Sequence, residues 1–122
     1  MGNRVEEFLA YRERMHERIF EFDHLGLKRF FNLDSAAYRE DSALDRKTKE
    51  LLALVASSVL RCNECIDHHI VGCLEAGWRE EEILDALNIA VLIGGSIVIP
   101  HLRHAVETLD IVRGRAGSAG DE

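Results

Sequence analysis

The residues best suited to chemistry lie in one short stretch, Arg61-Cys62-Asn63-Glu64-Cys65-Ile66-Asp67-His68-His69. On a helix turning 100° per residue, Cys65 falls about 60° from Cys62 and His69 about 20° from it. Two thiols and an imidazole therefore converge on one patch. Cys73 continues the same stripe, and His68 points elsewhere. Cysteines at i and i+3 can close a disulfide with little backbone movement. A thiol at a helix N-terminus feels partial positive charge, which favours its thiolate. An imidazole one turn further on can take the thiol proton. A thiolate so prepared can attack a peroxide and become a sulfenic acid, which the second thiol converts to a disulfide. An external reductant must then restore the dithiol by exchange.

The same residues admit two other readings. Cys62, Cys65 and His69 supply three zinc ligands, with His101 or His104 as a candidate fourth on the last helix. Alternatively, the cysteines are buried and structural. Redox chemistry is favoured over metal because no second Cys-x-x-Cys exists and three ligands on one short helix make an awkward tetrahedron. Cys73 reads as a small core residue. His68 reads as exposed or at a subunit contact. His101 and His104 read as core or interface histidines, with His101 as an alternative lining residue.

To present this patch the chain must form helices. Val5, Phe8, Leu9, Met15, Ile19 and Phe20 recur at three- and four-residue spacing and predict a helix from Asn3 to about Phe22. Asp23, His24 and Gly26 mark a turn, and neither His16 nor His24 is assigned a role. Leu27 to Tyr38 predicts a second helix, with Asn32 to Ser35 interrupting it. Asp41-Ser42 reads as the cap of a third helix from about Asp45 to Leu60. A polar junction at Arg61 to Glu64 leads into a fourth helix from near Cys62 to Ala76, stopped by a left-handed Gly77. Trp78 anchors that junction. Glu80 to Ile93 follows with three acids in its first turn. Gly94-Gly95-Ser96 breaks the pattern before a last helix, Ser96 to Arg113, with Pro100 in its first turn or kinking it. No segment reads as a strand. Phe20, Phe22, Phe30 and Phe31 read as core or subunit interface. The expectation is all-α, about six helices in one domain over residues 1–113, with 114–122 a flexible tail. Several apolar stripes exceed what so small a monomer can bury, which predicts a homo-oligomer.

Composition narrows the function. The chain has 122 residues, 47% hydrophobic and 30% charged, with a formal net charge of −7. That balance disfavours nucleic acid as a partner, and Arg46, Lys47 and Lys49 read as a solvated helix end among acids. The N-terminal segment is charged throughout, and the longest apolar run is too short to span a bilayer. A reducing cytoplasm is expected, where a Cys-x-x-Cys pair points to catalysis or metal rather than a permanent staple. No phosphate loop, nucleotide fingerprint or Ser-His-Asp constellation is present.

The stretch from Leu44 to Gly95 resembles the carboxymuconolactone decarboxylase-like family, in its alkylhydroperoxidase D-like branch. The matching segments are Leu44-Asp45-Arg46-Lys47-Thr48-Lys49-Glu50-Leu51, the Cys62/Cys65/His69 motif, Glu75-Ala76-Gly77, Glu81-Glu82-Ile83 and Gly94-Gly95. The resemblance implies antiparallel helical hairpins assembled into trimers or hexamers. It implies a thiol-dependent peroxidase or disulfide oxidoreductase with no cofactor, acting on a hydroperoxide and recharged by a dithiol protein. Glu50, twelve residues before Cys62, enters only through this resemblance. From the wheel alone it reads as a surface partner of Arg46. By carry-over, Cys65 attacks peroxide, Cys62 resolves and donates a proton, and His69 and Glu50 relay it. One departure stands out. The best-known members of the branch carry His immediately before the second Cys, where this chain has Glu64. A carboxylate there opposes a thiolate and predicts a slower peroxidase or a shifted substrate. Decarboxylase-type lyase action on a small lactone acid and a non-catalytic metal-binding oligomer are the alternatives.

Overall fold

Residues 2–115 are described by a computed structural model. They form six α-helices: α1 (Arg4–Glu21), α2 (Leu25–Ala37), α3 (Arg46–Val59), α4 (Asn63–Glu75), α5 (Glu80–Gly94) and α6 (Ile99–Val112). A 3₁₀ turn, Ser96–Val98, joins α5 to α6. The described residues contain no strand. No described helix is long and apolar enough to cross a membrane. The chain divides into two compact units, residues 1–46 and 47–122.

In the first unit, Asn3 caps α1 by accepting from the Glu6 amide at 2.9 Å, a bond that satisfies one of the first-turn donors. The imidazole of His24 caps α2 by accepting from Leu27 at 3.2 Å. This residue had no role in the sequence reading, because histidine is an uncommon N-cap. Helix α2 also runs without the interruption expected at Asn32 to Ser35. The Ser35 hydroxyl bonds back to the Phe31 carbonyl at 3.3 Å, so it does not compete for the helix backbone. Phe31 packs against His16 and Phe20, with ring centroids 4.9 and 5.2 Å apart. Asp41 and Ser42 lie in the loop before α3 rather than at its cap. There, the Glu40 carboxylate accepts from the Arg46 amide at 3.3 Å.

The second unit holds a core of Leu54, Ile66, Ile70, Cys73, Ile83, Leu87, Ala105 and Leu109, drawn from α3 through α6. Leu51, Leu74, Trp78 and Leu102 pack on its margin. Two tight closures place α4. At its C-terminal end Gly77 adopts φ +99. The Trp78 and Gly77 amides then donate to the Cys73 and Leu74 carbonyls at 3.0 and 3.1 Å, satisfying two terminal acceptors. The Trp78 indole donates to the Lys47 carbonyl at 2.7 Å, and the Lys47 ammonium lies 4.3 Å from its ring centroid. Trp78 thereby ties the start of α3 to the end of α4. Gly95, at φ +84, turns α5 into the 3₁₀ segment, and Pro100 sits in the first turn of α6 without breaking it. Arg115 pairs with Glu80 and Asp110. The rest of the expected tail, 116–122, lies outside the described residues.

Candidate active site

The link between α3 and α4 is two closures fused at one residue. Arg61 takes a left-handed φ of 61°, a conformation costing a side-chain-bearing residue about 1 kcal/mol. In return the Arg61 and Cys62 amides donate to the Ser58 and Ser57 carbonyls at 3.1 and 3.0 Å, completing the end of α3. The next feature of Cys62 is its side chain: its sulfur is the N-cap of α4, accepting from the Cys65 amide at 3.2 Å. Capping oxygens usually fill this role. Here a sulfur does, at the positive end of the helix.

Cys62 and Cys65 form a disulfide, with Cα atoms 5.3 Å apart, and both residues are partly exposed. Glu64 is exposed in the first turn of α4, where its charge favours the helix dipole while opposing a neighbouring thiolate. His69 follows Cys65 by one turn on the same face. Its Nδ1 lies 3.0 Å from the Glu50 Oε2, and both side chains are largely buried, 14% and 8% exposed. With the carboxylate ionised, Nδ1–H donates to it. Nε2 is then the ring nitrogen able to accept a proton. Glu50 is buried and faces α4, a placement the wheel of α3 alone does not give. The His68 ring meets that of His69 edge-on at 4.9 Å. Cys73 is fully buried. Burial, and then the negative charge of Glu50, push its thiol up to about 12.

On its other side α4 meets α6 through polar pairs that sequence reasoning missed. Asp67 is buried, 5% exposed. It accepts from His104 Nε2 at 2.9 Å and lies 2.5 Å from the Thr108 hydroxyl. That hydroxyl has one proton and a second acceptor, the His104 carbonyl, at 2.9 Å. One turn toward the cysteines, His101 Nδ1 donates to Asn63 Oδ1 at 2.7 Å. The two histidines considered as metal ligands are thus directed at Asn63 and Asp67. Among the described residues, no group of three or more His, Cys, Asp or Glu side chains is arranged to hold a metal.

The carboxymuconolactone decarboxylase family model matches residues 25–108. A carboxymuconolactone decarboxylase family protein from Thermotoga maritima, for which a part in an antioxidative response has been suggested, is 50% identical. It superposes with a TM-score of 0.83 over 93% of this chain and 95% of that one. A family protein from Legionella pneumophila, solved in its apo form, is 27% identical with a TM-score of 0.71, covering 94% of this chain and 99% of that one. An alkyl hydroperoxide reductase AhpD from Koribacter versatilis is 32% identical over 89 residues, which are 70% of this chain and 46% of that protein. An uncharacterised protein of the cox locus of Paracoccus denitrificans is 32% identical over 74 residues, 61% of this chain and 67% of that one. The chain therefore spans about two thirds of the length of one curated relative and less than half of the other.

Proposed function

The chain belongs to the carboxymuconolactone decarboxylase family, and we propose that within it the protein is a thiol-dependent peroxidase or disulfide oxidoreductase. The observation that carries this reading is the Cys62–Cys65 pair at the open N-terminus of α4, with the buried Glu50–His69 pair one turn below it. A buried carboxylate is costly unless it is paired, and the partner of Glu50 is an imidazole one turn from Cys65. A disulfide between partly exposed cysteines is open to exchange.

In the reduced protein His69 Nε2 takes the Cys65 proton, and Glu50 stabilises the imidazolium so formed. The Cys65 thiolate attacks one oxygen of a hydroperoxide. The O–O bond breaks, sulfur is oxidised to the sulfenic acid, and the departing alkoxide takes a proton and leaves as an alcohol. The Cys62 sulfur then displaces the hydroxyl of the sulfenic acid, which leaves as water, and the disulfide forms. A dithiol protein reduces it by exchange, and itself becomes a disulfide. Attack on the Cys65 sulfur expels Cys62 as a thiolate, and the Cys65 amide that caps α4 through this sulfur stabilises it. The exposed apolar side chains of α5, Leu92 and Ile93, each 72% exposed, support assembly into a homo-oligomer, a trimer or hexamer by family resemblance.

Replacement Cys65→Ser should abolish peroxide consumption in the presence of a dithiol reductant. Turnover equal to wild type in that variant refutes the reading. Equal consumption of a muconolactone with both thiols alkylated would instead establish lyase chemistry.

A further inference from the structure

The Glu50 carboxylate reaches His69 only because α4 has no side chain at position 72. A Cβ built on Gly72 would lie 2.5 Å from Glu50 Oε2, 2.8 Å from its Cδ and 3.2 Å from Oε1. The first two separations are closer than van der Waals contact allows, and Oε2 is the same oxygen that lies 3.0 Å from His69 Nδ1. Gly72 opens the last turn of α4, where the backbone is still helical and its carbonyl accepts from the Ala76 amide at 2.9 Å. There its backbone freedom destabilises the helix relative to alanine. Nor is its conformation left-handed, so no turn requires glycine there. What does require it is space: the carboxylate seats against the bare backbone of α4.

We infer that Gly72 is a positioning residue for the proton relay, its missing side chain forming the seat that presses Glu50 Oε2 against His69. This rests on the peroxidase reading for its consequence and on geometry alone for the seat. An alanine at 72 meets the far end of a flexible side chain rather than backbone, so the carboxylate moves and the fold need not. Glu50 is 8% exposed and confined. The displacement therefore takes Oε2 away from Nδ1, and the imidazolium formed on proton transfer loses its counter-charge.

A double-substitution cycle tests this. Gly72→Ala, Glu50→Ala and the pair together are compared for peroxide consumption with a dithiol reductant and for Tm by circular dichroism. Gly72→Ala alone should slow consumption about tenfold or more, a part of the roughly 10²–10⁴-fold that a general acid–base group contributes. With Glu50→Ala already present, Gly72→Ala should change the rate less than twofold. Tm should move in opposite directions in the two backgrounds. The methyl lowers it where Glu50 occupies the seat and raises it where Glu50 is absent, because alanine is the better helix former. A glycine needed only for packing would do equal damage in both backgrounds, and that result overturns the inference. So does an unchanged rate in Gly72→Ala beside a slowed Glu50→Ala. Inversion of the Tm effect with no rate change in any variant would instead sink the proton relay while the seat stood.

Discussion

The three cysteines should separate into two reactive thiols and one silent one, by a margin the structure sets. The perturbation is alkylation of the fully reduced protein with iodoacetamide at pH 8, where only thiolate reacts. Burial and the nearby Glu50 carboxylate push the Cys73 thiol from an ordinary 9.0 up to about 12. At pH 8 its thiolate is then about one part in ten thousand, against roughly one in eleven for an unperturbed thiol, a factor of about 10³. Complete burial of the residue adds a steric block to that factor. Mass spectrometry should show two carbamidomethyl groups added within minutes and the third only on unfolding. After one equivalent of peroxide, both rapid sites should be lost together and return with a dithiol reductant, while Cys73 stays unlabelled throughout. The same shift has a stability consequence. The unfolded chain loses this proton near pH 9 and the native chain keeps it to about 12, so between those values the native state binds more protons and stability falls as pH rises. The slope is about 1.4 kcal/mol per pH unit. The contribution is fully present below pH 9, and Cys73→Ala should flatten this alkaline limb by that one-proton slope. Native labelling of Cys73 at a rate near that of the other two, or its loss to peroxide, would refute the reasoning.

Removing the charge of Asp67 tests the second polar pair. Asp67→Ala leaves His104 and the Thr108 hydroxyl without that partner in a part-buried setting, and should cost about 1–3 kcal/mol in urea unfolding. A loss under 1 kcal/mol would mean the pair is solvated. Trp78→Phe keeps the ring over Lys47 but removes the indole donor to its carbonyl. It should cost about 1–1.5 kcal/mol by the same measurement, and an unchanged midpoint would exclude that bond as a clasp between α3 and α4.

Much of this architecture is legible in the residues, for identifiable reasons. Glu80, Glu81 and Glu82 announce the start of α5 because acids suit a helix N-terminus. Gly77 announces the end of α4 because the left-handed φ of +99 found there costs glycine least. Signals of this kind are local. The misses are of two sorts. Asp41 and Ser42 carry capping chemistry but lie in the loop ahead of α3, whose first amide, that of Arg46, donates to the Glu40 carboxylate instead. The pairing of Asp67 has no local signal because its partners, His104 and Thr108, lie 37 and 41 residues away. An acid on the flank of an apolar arc that includes Ile66 and Ile70 was the available sign, since a charge there must be paired or exposed. Glu50 shows the limit most clearly. Its wheel position gave a surface residue, family resemblance gave a relay, and its burial depends on a glycine 22 residues later that no periodicity reveals.

The placement of Cys62 also bears on why reduction of the disulfide need not disturb the fold. Cys62 closes α3 through its backbone amide and opens α4 through its sulfur. The first bond is indifferent to the oxidation state of the sulfur. The second strengthens when that sulfur becomes a thiolate, because the acceptor then carries full charge at the helix N-terminus. Breaking the disulfide removes a constraint over only a three-residue separation, where the entropy recovered by the unfolded chain is small. The helix start is therefore held by backbone geometry before and after exchange, while electrostatics moves in favour of the thiolate. On the proposed chemistry, a site built this way cycles between dithiol and disulfide without α4 unwinding, and both cysteines are partly exposed.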